Sequence, residues 1–216
     1  MSSPQIDHLC WLVTDPQAAE AGLRRQRIGC ERGMYYPRAG TQHWNVPLGF
    51  PQYLEFVVIA NRADAEQGDV GPATLAAEAE GGGLLAWAVL IDDLEAVAQR
   101  HGLVVDDYTL EQPDGTLRGW RTATGPPHLP FFIDYPNNGD RAQRWHEMYK
   151  RAGHTSTPSG FRLLTVEGGD EEMQHWLGPH DFPIKYVQGH RGLVSAEINT
   201  THGVVHVPDL SIGLDR

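Results

Sequence analysis

The stretch IDHLCWLVTDPQAAEAGL, residues 6–23, decides the fold because its plan is used twice. Its first half is an apolar run interrupted by His8, the pattern of a buried strand. Its second half reads as a helix with Asp15 as N-cap, Pro16 as the first helical residue and Gly29 as the stop. Further on, LLAWAVLIDDLEAVAQRHGL again gives an apolar strand, an acidic cap and a helix ending at Gly102. Placing VTDPQAA over IDDLEAV sets Thr14 on Asp92, Asp15 on Asp93 and Ala18 on Ala96, a shift of 78 residues. Self-similarity at a fixed spacing predicts a repeated structural unit.

Each opening is followed by three short runs rich in aromatic and β-branched residues. These are CERGMYYP, TQHWNVPLG and YLEFVVIA in the first unit, and VVDDYTLEQPDG, TLRGWRTATG and HLPFFIDYP in the second, with turns at PDG and TGPP. The expected order is β-α-β-β-β twice, an α+β fold. Residues 1–60 form the first module and 84–136 the second, joined by 61–83, whose Ala-rich patch could form a short helix before a glycine run. Residues 137–159, opening with a turn at NNG and closing in Ser, Thr and Pro, read as a connector. Residues 160–216 read as a C-terminal partial module: a strand, an acidic-capped helix and a hairpin around TTHG. The 24 glycines and 15 prolines suit many short strands better than a helix bundle.

A net charge of -11 argues against a nucleic-acid partner, which would need clustered Lys and Arg on the phosphates. No apolar run is long enough to span a bilayer, and the N-terminus lacks a basic, apolar leader, so a soluble, unprocessed chain without a membrane partner is expected. Two cysteines, Cys10 and Cys30, form no disulfide framework, which fits a reducing cytoplasm. There is no P-loop, dinucleotide fingerprint, GxSxG or HExxH.

Two polar residues stand out inside apolar strands. Glu55 lies among Tyr53, Leu54, Phe56 and Val57, where a carboxylate is rarely buried unless paired or bound; a solvent face or salt bridge is the plainer account. His8 is either a ligand or a core histidine bonded to backbone. Cys10 reads as a small buried residue rather than a nucleophile. His43 and Asn45, in GTQHWN, could orient a substrate or belong to an ordinary aromatic strand face. Trp11, Trp87 and Trp120 are more often core than a stacking surface.

Two tandem β-α-β-β-β units, a first-strand His and the YLEF that ends the first unit resemble the vicinal oxygen chelate superfamily, and within it the glyoxalase-like domain group. The resemblance implies that each module curls its sheet into half of a cup-shaped half-barrel enclosing a small-molecule site. It implies that the first and last strands supply inward ligands to a divalent ion (Zn, Fe, Mn, Co or Ni), with His8 and Glu55 matching these positions as metal-binding and catalytic residues. Module two departs from this: the shift sets Ala86 opposite His8, with Trp87 beside it. Asp134 is the expected third ligand, although Phe132 competes for its place, and His43, Asn45, Trp87 and His128 are candidate substrate contacts. Asp134 could equally be a strand-end turn residue and His128 a loop residue. The implied activity is isomerisation, epimerisation or lyase chemistry on a small oxygenated metabolite. A metal-free binding protein, or a metal-free enzyme using Glu55 or His8 as base, fits the same cup. The module pattern closes a cup within one chain or across a homodimer.

Overall fold

The computed structural model describes residues 3–111, 115–136 and 140–207. Pro113 and Asp114 of the expected PDG turn, and the NNG turn at 137–139, lie outside the described residues. The first unit comprises β1 (Gln5–Leu12), α1 (Pro16–Arg25), β2 (Glu31–Tyr36), β3 (Thr41–Pro47) and β4 (Tyr53–Ile59). Two short helices, α2 (Arg62–Gln67) and α3 (Gly71–Ala79), lead to the second unit. That unit comprises β5 (Gly83–Leu90), α4 (Leu94–His101), β6 (Val105–Glu111), β7 (Leu117–Ala123) and β8 (Phe131–Asp134).

The local chemistry follows the expected caps. Asp15 accepts hydrogen bonds from the backbone N–H groups of Gln17 and Ala18, and Asp93 from that of Ala96, satisfying donors that a helix start leaves free. Gly102 closes α4 in the left-handed region. The stop of α1 differs from expectation. The turn falls at Arg27, which takes a positive φ of 63° while Ile28 N–H bonds back to Leu23. Gly29 serves another purpose: a Cβ there would sit 1.9 Å from the carbonyl oxygen of Ala152, so only glycine admits the neighbouring chain.

The two units form one eight-stranded sheet in the order β2-β3-β4-β1-β5-β8-β7-β6. At its centre β1 and β5 pair antiparallel, His8 with Ala88 and Cys10 with Ala86, Ile6 with Val89 and Trp11 with Leu84. The 78-residue shift converts each of these pairs into another of the set, so the repeat is a two-fold relation about this ladder. Its irregularities obey the same relation: the register slips at Asp7 on β1 and at Leu85 on β5, residues that the shift superimposes. Tyr36 on β2 reaches within 6.2 Å of both Tyr108 on β6 and Trp120 on β7, so the sheet curls until its outer strands meet through aromatic rings.

Residues 137–159 hold more than a connector. They contain α5 (Arg141–Ala152), whose Trp145, Met148, Tyr149 and Ala152 recur at helical spacing. The C-terminal region contains β9 (Pro158–Glu167), α6 (Asp170–Leu177), β10 (Ile184–Val187), β11 (Gly192–Thr200) and β12 (Gly203–Val207). The expected strand, helix and hairpin are present; β10 is an additional strand, and the four strands form a second sheet in the order β10-β9-β11-β12. One hydrophobic core joins the two sheets, running from Trp11, Phe56 and Trp87 through Phe132 and Trp176 to Leu164 and Ile198.

Gly29→Ala should therefore destabilise the fold by about 1–3 kcal/mol or more, since a backbone carbonyl cannot move aside as a side chain can. A urea titration should show a lower midpoint with an unchanged slope.

Candidate functional site

The inner face of the curled sheet is set by strand register. His8 and Cys10, two apart on β1, point to the same side, and Glu55 lies opposite Cys10 in the parallel β1–β4 ladder. One ligating atom from each of His8, Cys10 and Glu55 lies within 4.8 Å of the others. Among the described residues this is the one cluster of at least three such side chains that could hold an ion. Cys10 Sγ lies 3.7 Å from Glu55 Oε2. The other carboxylate oxygen, Oε1, accepts from Nδ1 of His43 at 2.9 Å. His43 in turn bonds Thr41 through Nε2 at 2.7 Å. Asn45 lies opposite Glu55 in the β3–β4 ladder and shares its face.

The ring of His8 is fixed on several sides. It stacks on Tyr53 with centroids 4.7 Å apart and meets Phe131 edge-on at 5.6 Å. Its Nδ1 lies 2.8 Å from Oδ2 of Asp7, and because a carboxylate only accepts, the nitrogen is the donor. Asp7 is fully buried and also accepts from the Tyr135 hydroxyl at 2.9 Å and from the Arg141 guanidinium on α5.

The electrostatics follow from this packing. Burial opposes a charged His8, but the Cys10 sulfur and the Asp7 carboxylate outweigh it and raise its pKa well above the ordinary imidazole value. Burial pushes the Cys10 thiol up, with His8 pulling against it. Burial would raise Glu55 too; His43, followed by His8 and Cys10, reverses this and lowers it to about 2. Glu55 is thus a carboxylate at neutral pH, and a weak base.

Module two supplies no such donors. The β5–β8 ladder pairs Ala88 with Phe131, the counterpart of Cys10 with Glu55. The positions equivalent to His8, Cys10 and Glu55 are therefore Ala86, Ala88 and Phe131, rather than a set containing Asp134. Asp134 has the opposite parity to Phe131. It is bound by Arg121, whose Nε donates to Oδ1 at 3.0 Å and whose Nη1 donates to Glu95 on α4 at 2.9 Å. The structure does not bring it to His8 and Glu55. Trp87 is also turned away: it pairs with Leu9 on the outer face, is 1% exposed, and packs against Phe182 of the C-terminal region. His128 lies outside the cup, 3.0 Å from Glu172 of α6.

Two residues of the site escaped the sequence reading. Cys10 was signalled by its spacing from His8, since i and i+2 share a strand face. Asp7, of the opposite parity, reaches its neighbour's ring because the bulge at this point re-aims it, and no sequence pattern announces that.

The model of the glyoxalase-like domain family matches residues 6–178, both units and the start of the C-terminal region. The chain belongs to the glyoxalase-like domain family. No curated protein matches it. Among solved structures, a hypothetical protein from Staphylococcus aureus shares 13% identity over 94% of this chain and 84% of its own, with a TM-score of 0.58, and has the same fold. Methylmalonyl-CoA epimerase from Streptomyces coelicolor, bound to 2-nitronate-propionyl-CoA, shares 16% identity over 63% of this chain and 97% of its own, with a TM-score of 0.46. The Mn(II)-bound glyoxalase from Novosphingobium aromaticivorans shares 13% identity over 88% of this chain and 63% of its own, with a TM-score of 0.43. Among the described residues no helix is long and apolar enough to cross a membrane.

Asp134→Asn should cost about 1–2 kcal/mol, because it weakens a charge-assisted pair at a largely buried carboxylate. Thermal denaturation should register the loss, with Arg121→Met giving a comparable or larger one because the charge is then left unpaired.

Proposed function

We propose that this chain is a glyoxalase-like enzyme acting on a small oxygenated metabolite at a divalent ion held by His8, Cys10 and Glu55. The observation that carries this reading is the convergence of imidazole, thiol and carboxylate donors within 4.8 Å on the inner face of the cup. Three protein ligands leave positions open for substrate or water, as catalytic sites require. A thiolate among them favours Zn, Co or Fe over Mn. Such an ion, when bound, would supply Lewis acidity to a substrate oxygen or to a water, suited to isomerisation, epimerisation or lyase chemistry.

The chain's own groups have separable parts in this reading. His43 orients Glu55 by holding Oε1, which leaves Oε2 directed toward Cys10. Tyr53 and Phe131 fix the plane of the His8 ring. Ala86 and Ala88, on the neighbouring strand β5, place small apolar side chains beside His8 and Cys10, against which the uncoordinated part of a small substrate can rest. The low basicity of Glu55 argues for a ligand's part rather than a proton acceptor's. Two unpaired cysteines suit a reducing cytoplasm, and a homodimer fits the module pattern of the family.

A metal-free protein that sequesters a small ligand is the second reading, favoured by the absence of donors at Ala86, Ala88 and Phe131. Elemental analysis of protein purified without chelator, followed by titration with zinc and cobalt, separates the two. One ion per chain is expected. The cobalt form should show a thiolate charge-transfer band in the near ultraviolet that Cys10→Ala abolishes, and Glu55→Gln should weaken zinc at least tenfold. A chain that neither carries nor gains an ion moves the assignment to the second reading; unaltered zinc affinity in Glu55→Gln overturns the ligand set.

A further inference from the structure

We propose that Asp7 is a positioning residue: its carboxylate holds the proton of His8 on Nδ1 and so turns Nε2 toward Cys10 and Glu55, with Tyr135 and Arg141 completing its hydrogen bonds. The inference rests on the proposed metal site for its purpose, and on geometry alone for the proton's place.

Three observations carry it. Asp7 is fully buried, a costly place for a carboxylate unless every oxygen is satisfied, and its partners satisfy both: Oδ2 takes His8 Nδ1 at 2.8 Å and the Tyr135 hydroxyl at 2.9 Å, and Oδ1 takes Arg141. The contact between consecutive residues of one strand depends on the bulge at Asp7, an irregularity of the kind that re-aims side chains beside sites. The third observation is an internal control. The two-fold relation places a matching bulge at Leu85, followed by Ala86. The module without the histidine also lacks the aspartate, although its backbone makes the same detour. A carboxylate needed only to shape the bulge would have no reason to be missing where the bulge is retained.

A purely structural account assigns Asp7 to pinning α5 through Arg141, whose guanidinium also lies over the Tyr135 ring at 4.5 Å. That account predicts lost stability and nothing at His8. Orientation of a metal-binding imidazole through its other nitrogen predicts a weaker site, on the order of 10–100-fold in affinity.

The test uses nitrogen-15 NMR of His8 in the intact chain, metal-free at a pH high enough for the ring to be neutral and with zinc, together with zinc affinity by competition against a chromophoric chelator. Wild type should carry a proton on Nδ1 in both states, with Nε2 shifted by zinc. Asp7→Asn should redistribute the proton and weaken zinc 10–100-fold. Tyr135→Phe, which removes one hydrogen bond and keeps the ring, should weaken zinc less, and serves if Asp7→Asn does not fold. A wild-type Nδ1 without a proton overturns the proposal, as does a folded Asp7→Asn with wild-type nitrogen shifts and affinity. If wild type binds no zinc yet keeps Nδ1 protonated and bonded to Asp7, the metal reading fails while the positioning of the ring stands.

Discussion

The antiparallel ladder between β1 and β5 is the constraint on which the rest of the molecule depends. Separately, each module is a four-stranded sheet with an exposed edge, and such edges invite pairing. Joining them at β1 and β5 pairs those two edges, leaves β2 and β6 at the ends, and makes a single sheet able to curl on itself. The ladder also fixes which residues face inward. His8 and Cys10 lie across from Ala88 and Ala86, so chemistry-bearing and inert residues meet at the two-fold axis itself. A one-residue slip would turn every side chain of β1 to the other face, carrying Leu9 and Trp11, now 0% and 2% exposed, toward the cup.

From this constraint follows an asymmetric cup. The central β1–β5 ladder is two-fold symmetric down to its bulges, yet its side chains are not. Module one gathers its donors from two adjacent strands, and module two answers with Ala86, Ala88 and Phe131. Donors confined to β4 and β1 leave the neighbouring strands β5 and β8 free of competing ligands at these positions. Small side chains there provide space next to His8 and Cys10, and Phe131 completes the packing of the His8 ring. The symmetric scaffold supplies the shape, and divergence between its halves supplies direction.

What the sequence disclosed, and what it hid, divides along physical lines. The repeat was legible because caps and period are local: Asp15, Asp93 and Gly102 act within a turn of where they stand. His8 and Glu55 were legible because polar residues in apolar strands conflict with burial. Cys10 was hidden by its own chemistry, since a thiol reads as apolar in a strand. Asp134 was misplaced because the β5–β8 register is a long-range property, and its choice of Phe131 for the Glu55 position sends Asp134 to the face where Arg121 waits. Trp87 faces outward by simple alternation, one residue from Ala86 and paired with Leu9, and α5 was passed over because its apolar residues lie in an otherwise polar stretch.

The C-terminal region shows why element order alone does not dictate pairing. Like the two modules, it runs strand, helix and three strands, yet β10 pairs with β9 directly and β11 takes the other side, giving a different sheet. The region packs against the curled sheet. Trp176 of α6 donates to the carbonyl of Pro130 at 2.8 Å and stacks on Phe132 at 5.2 Å, while Phe182 covers Trp87. These contacts help bury the outer faces of β8 and β5, where Phe132 and Trp87 are 1% exposed. The strand–helix start of this region therefore completes the core of module two, which gives a physical reason for the family match to run on through α6, to residue 178.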